Sequence, residues 1–211
     1  MTLPPIAPKS DRAFMAGLKR VAAADPDIGR ALATHGRPPI RRIDPGYAAL
    51  LRILVGQQVS TQAAAAIWKR TTDRLGLAPT ADGLLAVSDE ELRGFGFSGS
   101  KIAYSRALAR EIMQGRLDLD RVHRSPDAAA LALLTSMKGI GPWTAQVYLL
   151  FALGRADVFP AGDLALIIAY QRIRNAKSRP DPKRMAAIAE AWRPWRGAVA
   201  HLLWHVYKQP L

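Results

Sequence analysis

The stretch KGIGPWTA, residues 138–145, stands between two apolar runs of helical period and leaves the chain few ways to fold around it. An apolar helix ends at Met137, Lys138-Gly139-Ile140-Gly141 follows, and Pro142 takes the first position of a second helix. There the missing proline N–H costs no hydrogen bond and the fixed φ is already helical. Two helices joined by so few residues pack as a tight hairpin. Gly139 and Gly141 both allow φ > 0 and bare backbone at the surface. The first N–H groups of the second helix lack intrahelical partners, so the turn offers amides to an anion such as a phosphate, with Lys138 adding charge beside it. Read locally, the same residues also make an ordinary glycine C-cap followed by a proline helix start.

Helical punctuation continues on both sides. Asp11 to Ala24 carries apolar residues at helical spacing and stops before Asp25-Pro26; Pro26 to Thr34 is a short helix closed by Gly36. After the proline-rich RPPIRRIDPGY, Tyr47 to Gly56 is apolar enough for a buried helix, and TQAAAAIWKRTTDRLG starts from Ser60 or Thr61 and ends at Gly76. Ser88 and Glu91 have capping-box spacing, Ser100 to Gln114 is amphipathic and ended by Gly115, and SPDAAALALLTSM starts from Ser125 with Pro126 in the first turn. Trp143 to Gly154 is a continuous apolar helix, and two more helices are expected after Pro182 and around WRPWRGAVAHLLWHVY. Alternating β-branched segments with hairpin turns do not occur, so the chain reads as all-α.

Composition narrows the function classes. The 211 residues include 30 Lys and Arg against 17 Asp and Glu, a net charge of +13, which suits a polyanionic partner such as nucleic acid or else an arginine-rich surface without a dedicated partner. Cysteine is absent, which excludes disulfides, thiolate zinc sites and iron–sulfur clusters. His201 and His205 have the i, i+4 spacing of a helical metal site, but no HExxH glutamate accompanies them and their run is apolar, so both read as packing or rim histidines. No apolar stretch reaches the ~18 residues of a membrane helix, and MTLPPIAPKSDRAF lacks a signal-peptide core, so no membrane association and a cytoplasmic location are expected.

One helix beyond the hairpin, RADVFPAG leads to Asp163 at the head of LALIIAY, where a carboxylate caps a helix and is itself kept ionised by the helix N-terminus. The hairpin, the Gly/Pro-rich loop and this aspartate resemble the helix-hairpin-helix (HhH-GPD) DNA glycosylase superfamily. With VGQQVS and WRPWRGAVAHLLW they look like its 3-methyladenine DNA glycosylase II, or AlkA-type, family, from about residue 40 to the C-terminus.

The resemblance implies two helical lobes flanking a DNA-binding cleft, without the N-terminal β domain of longer members. About 45–125 would form one lobe, and 1–44 with 126–211 the other, carrying the hairpin (135–145) and the catalytic aspartate. It implies a monofunctional glycosylase of base excision repair that flips and hydrolyses alkylated purines of the 3-methyladenine and 7-methylguanine type from duplex DNA, leaving an abasic site. Asp163 would be catalytic, and Trp143, Trp204 and Val147 would line the base pocket. Trp143 stands where bifunctional relatives carry a Schiff-base lysine. Lys138, Gly139, Ile140, Gly141 and Thr144 would bind DNA, with Gln58 wedged into the gap left by the flipped nucleotide. The carbonyls of Thr135, Met137 and Ile140 would hold a structural Na+ or K+; no other cofactor is implied, and the protein would act as a monomer. Gln146 and Val147 depart from the Glu and larger residue common in relatives, which alters a pocket wall. A glycosylase for hypoxanthine or uracil, and a non-catalytic protein that binds damaged DNA, remain the alternatives.

Overall fold

The computed structural model describes residues 9–209, and among these the chain is all-α, as expected. Contacts divide it into two units. The first, Ile43–Tyr148, contains α3 (Tyr47–Val55), α4 (Thr61–Leu75), α5 (Ala81–Ala86), α6 (Asp89–Phe95), α7 (Gly99–Met113), α8 (Leu119–Arg124), α9 (Asp127–Thr135) and most of α10 (Pro142–Phe151). The second comprises residues 9–42 and 149–209. It contains α1 (Asp11–Ala24), α2 (Pro26–His35), the end of α10, α11 (Leu164–Ile173), α12 (Pro182–Ala189), a 3-10 turn (Glu190–Trp192) and α13 (Arg196–Lys208).

Most helix starts are made by a short polar side chain that takes an N–H the helix leaves without a partner. Ser10, Ser60, Thr80, Ser88 and Ser98 each accept from the third residue beyond, and Asp25, Asp118 and Asp181 do the same with a carboxylate. Each such cap stabilises its helix by about 1 kcal/mol. Ser88 and Glu91 form the expected capping box in full. Two starts differ from the sequence reading. The serine that caps α7 is Ser98, so the helix begins before Ser100. Ser125 turns its hydroxyl back to donate to the Arg121 carbonyl at 2.7 Å, and α9 begins only at Asp127, after Pro126. The six-residue α5 and α8 are too short to show a helical stripe in sequence.

The unit boundary also differs from the expected lobes: it falls inside α10, so the hairpin belongs with α3–α9 rather than with Asp163. Its fastenings explain this. Tyr104 of α7 packs against Gly139, the Gln57 side chain reaches Gly139 and Thr144, and the Tyr148 hydroxyl accepts from Gly46 N–H at 3.1 Å at the start of α3.

In the second unit, α13 is buried from Gly197 through Trp204 against Phe14 and Leu18 of α1, Ile28 of α2 and Leu166 of α11. Each such aliphatic or aromatic side chain removed from water contributes about 1.5–3 kcal/mol. The WRPW segment locks this core. Trp192 is 1% exposed and donates its Nε1–H to Asp25 Oδ2 at 3.0 Å, so one aspartate both caps α2 and satisfies a buried indole. Trp195 lies flat on α1 at Gly17, where a Cβ would stand 2.1 Å from its ring.

Candidate active site

In the first unit the hairpin has the shape its residues predict. The C-terminal end of α9 passes through Ser136 and Met137 into a turn closed by Ile140 N–H donating to the Met137 carbonyl at 3.0 Å. Gly139 has φ +88°, a left-handed conformation that side-chain-bearing residues rarely adopt. Gly141 does not share it, a correction to the sequence reading. Its importance is spatial, because a Cβ there would meet nothing within 4 Å. Gly141, Pro142 and Lys138 are exposed, while Ile140 is 3% exposed and anchors the turn from inside. The turn therefore presents backbone and one ammonium group outward and hides its one large side chain.

Thr144, on the first turn of α10, turns its side chain inward. It is 1% exposed, and its hydroxyl accepts from Gln57 Nε2 at 2.6 Å. The same amide donates to the Gly139 carbonyl at 3.2 Å, so Gln57 ties α10 and the turn to the end of α3. Adjacent Gln58 is exposed at φ +54°, presented away from that network. Trp143 is half-buried on the first turn of α10, and Val147, one turn further along, is buried. The carbonyls of Thr135 and Ile140 accept no backbone hydrogen bond among the described residues, while that of Met137 accepts from Ile140 N–H.

The second unit holds Asp163. The Phe159–Gly162 turn, closed by Asp163 N–H donating to the Pro160 carbonyl at 2.9 Å, delivers it to the N-cap of α11. One carboxylate oxygen, Oδ1, accepts from Ala165 N–H at 2.9 Å and Leu166 N–H at 3.1 Å. The side chain is thus fixed at the positive end of a helix dipole.

Trp204, on α13, is 7% exposed and packs on Phe151 with ring centroids 5.1 Å apart. Above these rings stands Arg41, from the proline-rich connection after α2. Its guanidinium carbon is 5.3 Å from the Trp204 centroid and 5.7 Å from that of Phe151. Burial lowers its pKa, and the Asp163 carboxylate pulls it back up. Nothing in the local sequence separates Arg41 from its many neighbours, and the sequence reading missed it, as it missed Gln57. The two α13 histidines go separate ways: His201 Nδ1 pairs with the Gly197 carbonyl at 2.9 Å, and His205 Nε2 pairs with the His35 carbonyl at 2.9 Å. His201 lies edge-on to Phe14, Phe151 and Trp204, and its pKa is pushed down to about 4, chiefly by burial.

Helices throughout the described residues, a tight helical hairpin turned at Gly139 and an aspartate capping a helix define a DNA-repair protein of the helix-hairpin-helix class. Residues 51–194 match the model of the HhH-GPD superfamily of base excision DNA repair proteins, and the chain belongs to that family. It is 31% identical over 165 residues to DNA-3-methyladenine glycosylase 1 of Schizosaccharomyces pombe, covering 77% of this chain and 72% of that protein. The solved structure of S. pombe 3-methyladenine DNA glycosylase Mag1 in complex with abasic DNA superposes with a TM-score of 0.84 at 28% identity, covering 90% of this chain and 95% of that one. A Bacillus halodurans DNA-3-methyladenine glycosidase superposes with a TM-score of 0.77 at 28% identity, covering 98% and 94%. Against a Bacillus subtilis relative 27% identical over 165 residues, the chain spans 58% of the length.

Proposed function

We infer that the protein is a monofunctional DNA glycosylase that removes alkylated purines from duplex DNA. The observation that carries this reading is Asp163: a carboxylate held by two helix N–H groups, in the same unit as Trp204 and Arg41. A helix cap alone needs neither a ring pair nor a guanidinium within its electrostatic reach.

The hairpin grips the DNA backbone through the N–H groups at the start of α10 and through Lys138, without reading sequence. A damaged nucleotide leaves the stack, at a cost of a few kcal/mol that is least for a base already weakened in pairing. Gln58, exposed at the end of α3, fills the gap. Trp204, in the same unit as Asp163, receives the base. Alkylation at N3 or N7 makes the purine cationic, which suits the electron-rich indole faces.

The glycosidic bond then breaks, its electron pair leaving with the base, and positive charge builds on the sugar. The anionic Asp163 stabilises that charge. Water bonds to C1′ and its proton passes to the carboxylate and on to solvent, giving an abasic site and free base. No imine forms, because the indole of Trp143 offers no amine. A cation held by Thr135, Met137 and Ile140 would add positive charge under the bound phosphate. The N–H groups of the turn suffice for the backbone contact without it.

Incubation with methylated duplex, followed by chromatography, is expected to release 3-methyladenine while the strand stays intact and borohydride traps no adduct. Strand cleavage with a trapped adduct would contradict the monofunctional reading. Tight binding to the duplex without free base would favour a binding protein.

A further inference from the structure

At the end of α11 opposite Asp163, the second unit holds a cavity of about 500 Å³ that the proposed reaction leaves unused. It lies between the end of α11, the 174–181 connection and the start of α12. Ten residues of helix, about 15 Å of axial rise, separate it from the Asp163 carboxylate. Four basic side chains, Arg174, Lys177, Arg179 and Arg184, line it against one acid, Asp181. Two of these five groups are already engaged. The Arg174 guanidinium is held by Asp25 at 3.0 Å and by Asp27, and lies 5.5 Å from the Tyr170 centroid. Asp181 caps α12, its Oδ1 accepting from Arg184 N–H at 2.7 Å. The side chains of Lys177, Arg179 and Arg184 have no ion-pair or hydrogen-bond partner among the described residues.

The connection that carries these cations is fixed at both ends. α11 stops in a left-handed turn at Asn175, φ +48°, where Ala176 N–H donates to the Gln171 carbonyl at 3.1 Å and Gln171 Nε2 donates in return to the Ala176 carbonyl at 3.1 Å. At the other end stands the Asp181 cap. Between them, the N–H groups of Lys177, Ser178 and Arg179 donate to no acceptor among the described residues, and Pro180 has no N–H to offer. Basic side chains are common on a chain of net charge +13; what sets this hollow apart is that they coincide with three consecutive unpartnered amides. Such a set consists of donors and positive charge, the complement of an anion rich in oxygens. One phosphate would leave most of these donors unmet, whereas linked phosphates spread acceptors and charge across a hollow of this size.

We propose that this cavity is an oligophosphate-binding site, distinct from the Asp163 site, in which Lys177, Arg179 and Arg184 and the N–H groups of residues 177–179 hold two or more linked phosphate groups. Phosphates of this chemistry come as the tail of a free nucleotide or as successive groups of a DNA strand passing the far end of α11. Arg174, committed to Asp25 and Asp27, shapes the wall rather than supplying the charge. The site stands independently of the glycosylase reading, because none of its residues takes part in the proposed reaction.

The test is isothermal titration calorimetry of the full chain with sodium tripolyphosphate at constant ionic strength, with and without a short abasic duplex. One saturable site is expected in both cases, with inorganic monophosphate binding at least ~10-fold more weakly. The double variant Lys177→Gln, Arg179→Gln changes two exposed side chains and is expected to weaken tripolyphosphate by roughly 10- to 100-fold, the range of two charge-assisted contacts open to solvent. Its affinity for the short abasic duplex and its urea midpoint stay at the wild-type values. Arg184→Gln weakens tripolyphosphate by a smaller factor and gives a second, independent reading. A nucleoside triphosphate that binds as tightly as tripolyphosphate and is not displaced by longer duplexes identifies the free-nucleotide source; displacement by a longer duplex but not by the short one identifies the strand. Either result upholds the site. Tripolyphosphate that does not saturate, that binds the double variant as it binds the wild type, or that the short abasic duplex displaces overturns it. Loss of short-duplex affinity in the double variant also overturns it, in favour of a contact to the damaged DNA itself.

Discussion

Replacing Gly139 by alanine tests whether the hairpin is built as its geometry says. At φ +88° the added Cβ puts the residue into the left-handed region, a cost of about 1–2 kcal/mol. The same Cβ would stand 2.4 Å from Tyr104 Cγ and 2.6 Å from Tyr104 Cβ, atoms at the base of that side chain that cannot swing away without moving α7. Forced repacking of this kind costs a further ~1–3 kcal/mol, so Gly139→Ala should destabilise the protein by about 2–5 kcal/mol, a large part of an ordinary domain's stability. Urea denaturation followed by circular dichroism gives the value. The two contributions separate in a Tyr104→Gly background, which also removes the Tyr104 Cβ that would stand 2.6 Å from the added methyl. There the steric part vanishes, and the glycine substitution should cost only the conformational ~1–2 kcal/mol. A Gly139→Ala cost below about 0.5 kcal/mol, or the same cost with and without Tyr104, would refute the reasoning.

Other consequences follow from the same geometry. Gly141→Ala meets open space, so it should leave the denaturation midpoint nearly unchanged while weakening duplex binding, measured by fluorescence anisotropy. Lys138→Ala should weaken binding to all duplexes alike and reduce the slope of log affinity against log salt by about 1, the share of one phosphate contact. His201 has a pKa of about 4 in the fold against the ordinary 6.5, so between those values the unfolded chain binds a proton the folded one does not. Stability therefore rises with pH through that window and levels off above 6.5, a change on the order of 3 kcal/mol. His201→Phe should flatten this part of a pH series of urea midpoints, and an unaltered slope would place its origin elsewhere.

How much of this was legible in the sequence depended on whether one residue or several set the feature. The hairpin and the cap at Asp163 are local events, written in glycine, proline and a short acidic side chain, and both stand where their residues put them. The unit boundary is not local. It falls within the apolar run of α10, where no glycine or proline interrupts the helix, and it is set by Tyr148, Tyr104 and Gln57 reaching elements distant in sequence. Gln57 and Gln58 are indistinguishable by composition. A positive φ at the second turns it away from the hairpin while the first points in. The orientation of Thr144 was illegible for a related reason: a hydroxyl on the first turn of a helix serves a ligand or a neighbouring side chain equally well, and here it accepts from Gln57. Arg41 is one of many basic residues in a segment without helical period, and only the fold sets it over Trp204 and Phe151.

Asp163→Asn bears most directly on the claim that this carboxylate stabilises a sugar cation. The amide oxygen of asparagine can still accept from the N–H groups of Ala165 and Leu166, so the α11 cap persists while the charge is lost. Under single-turnover conditions on methylated duplex, release of 3-methyladenine should fall by at least ~100-fold, with affinity for abasic duplex held within about 3-fold of wild type. An asparagine variant that releases the base at the wild-type rate would contradict the assignment.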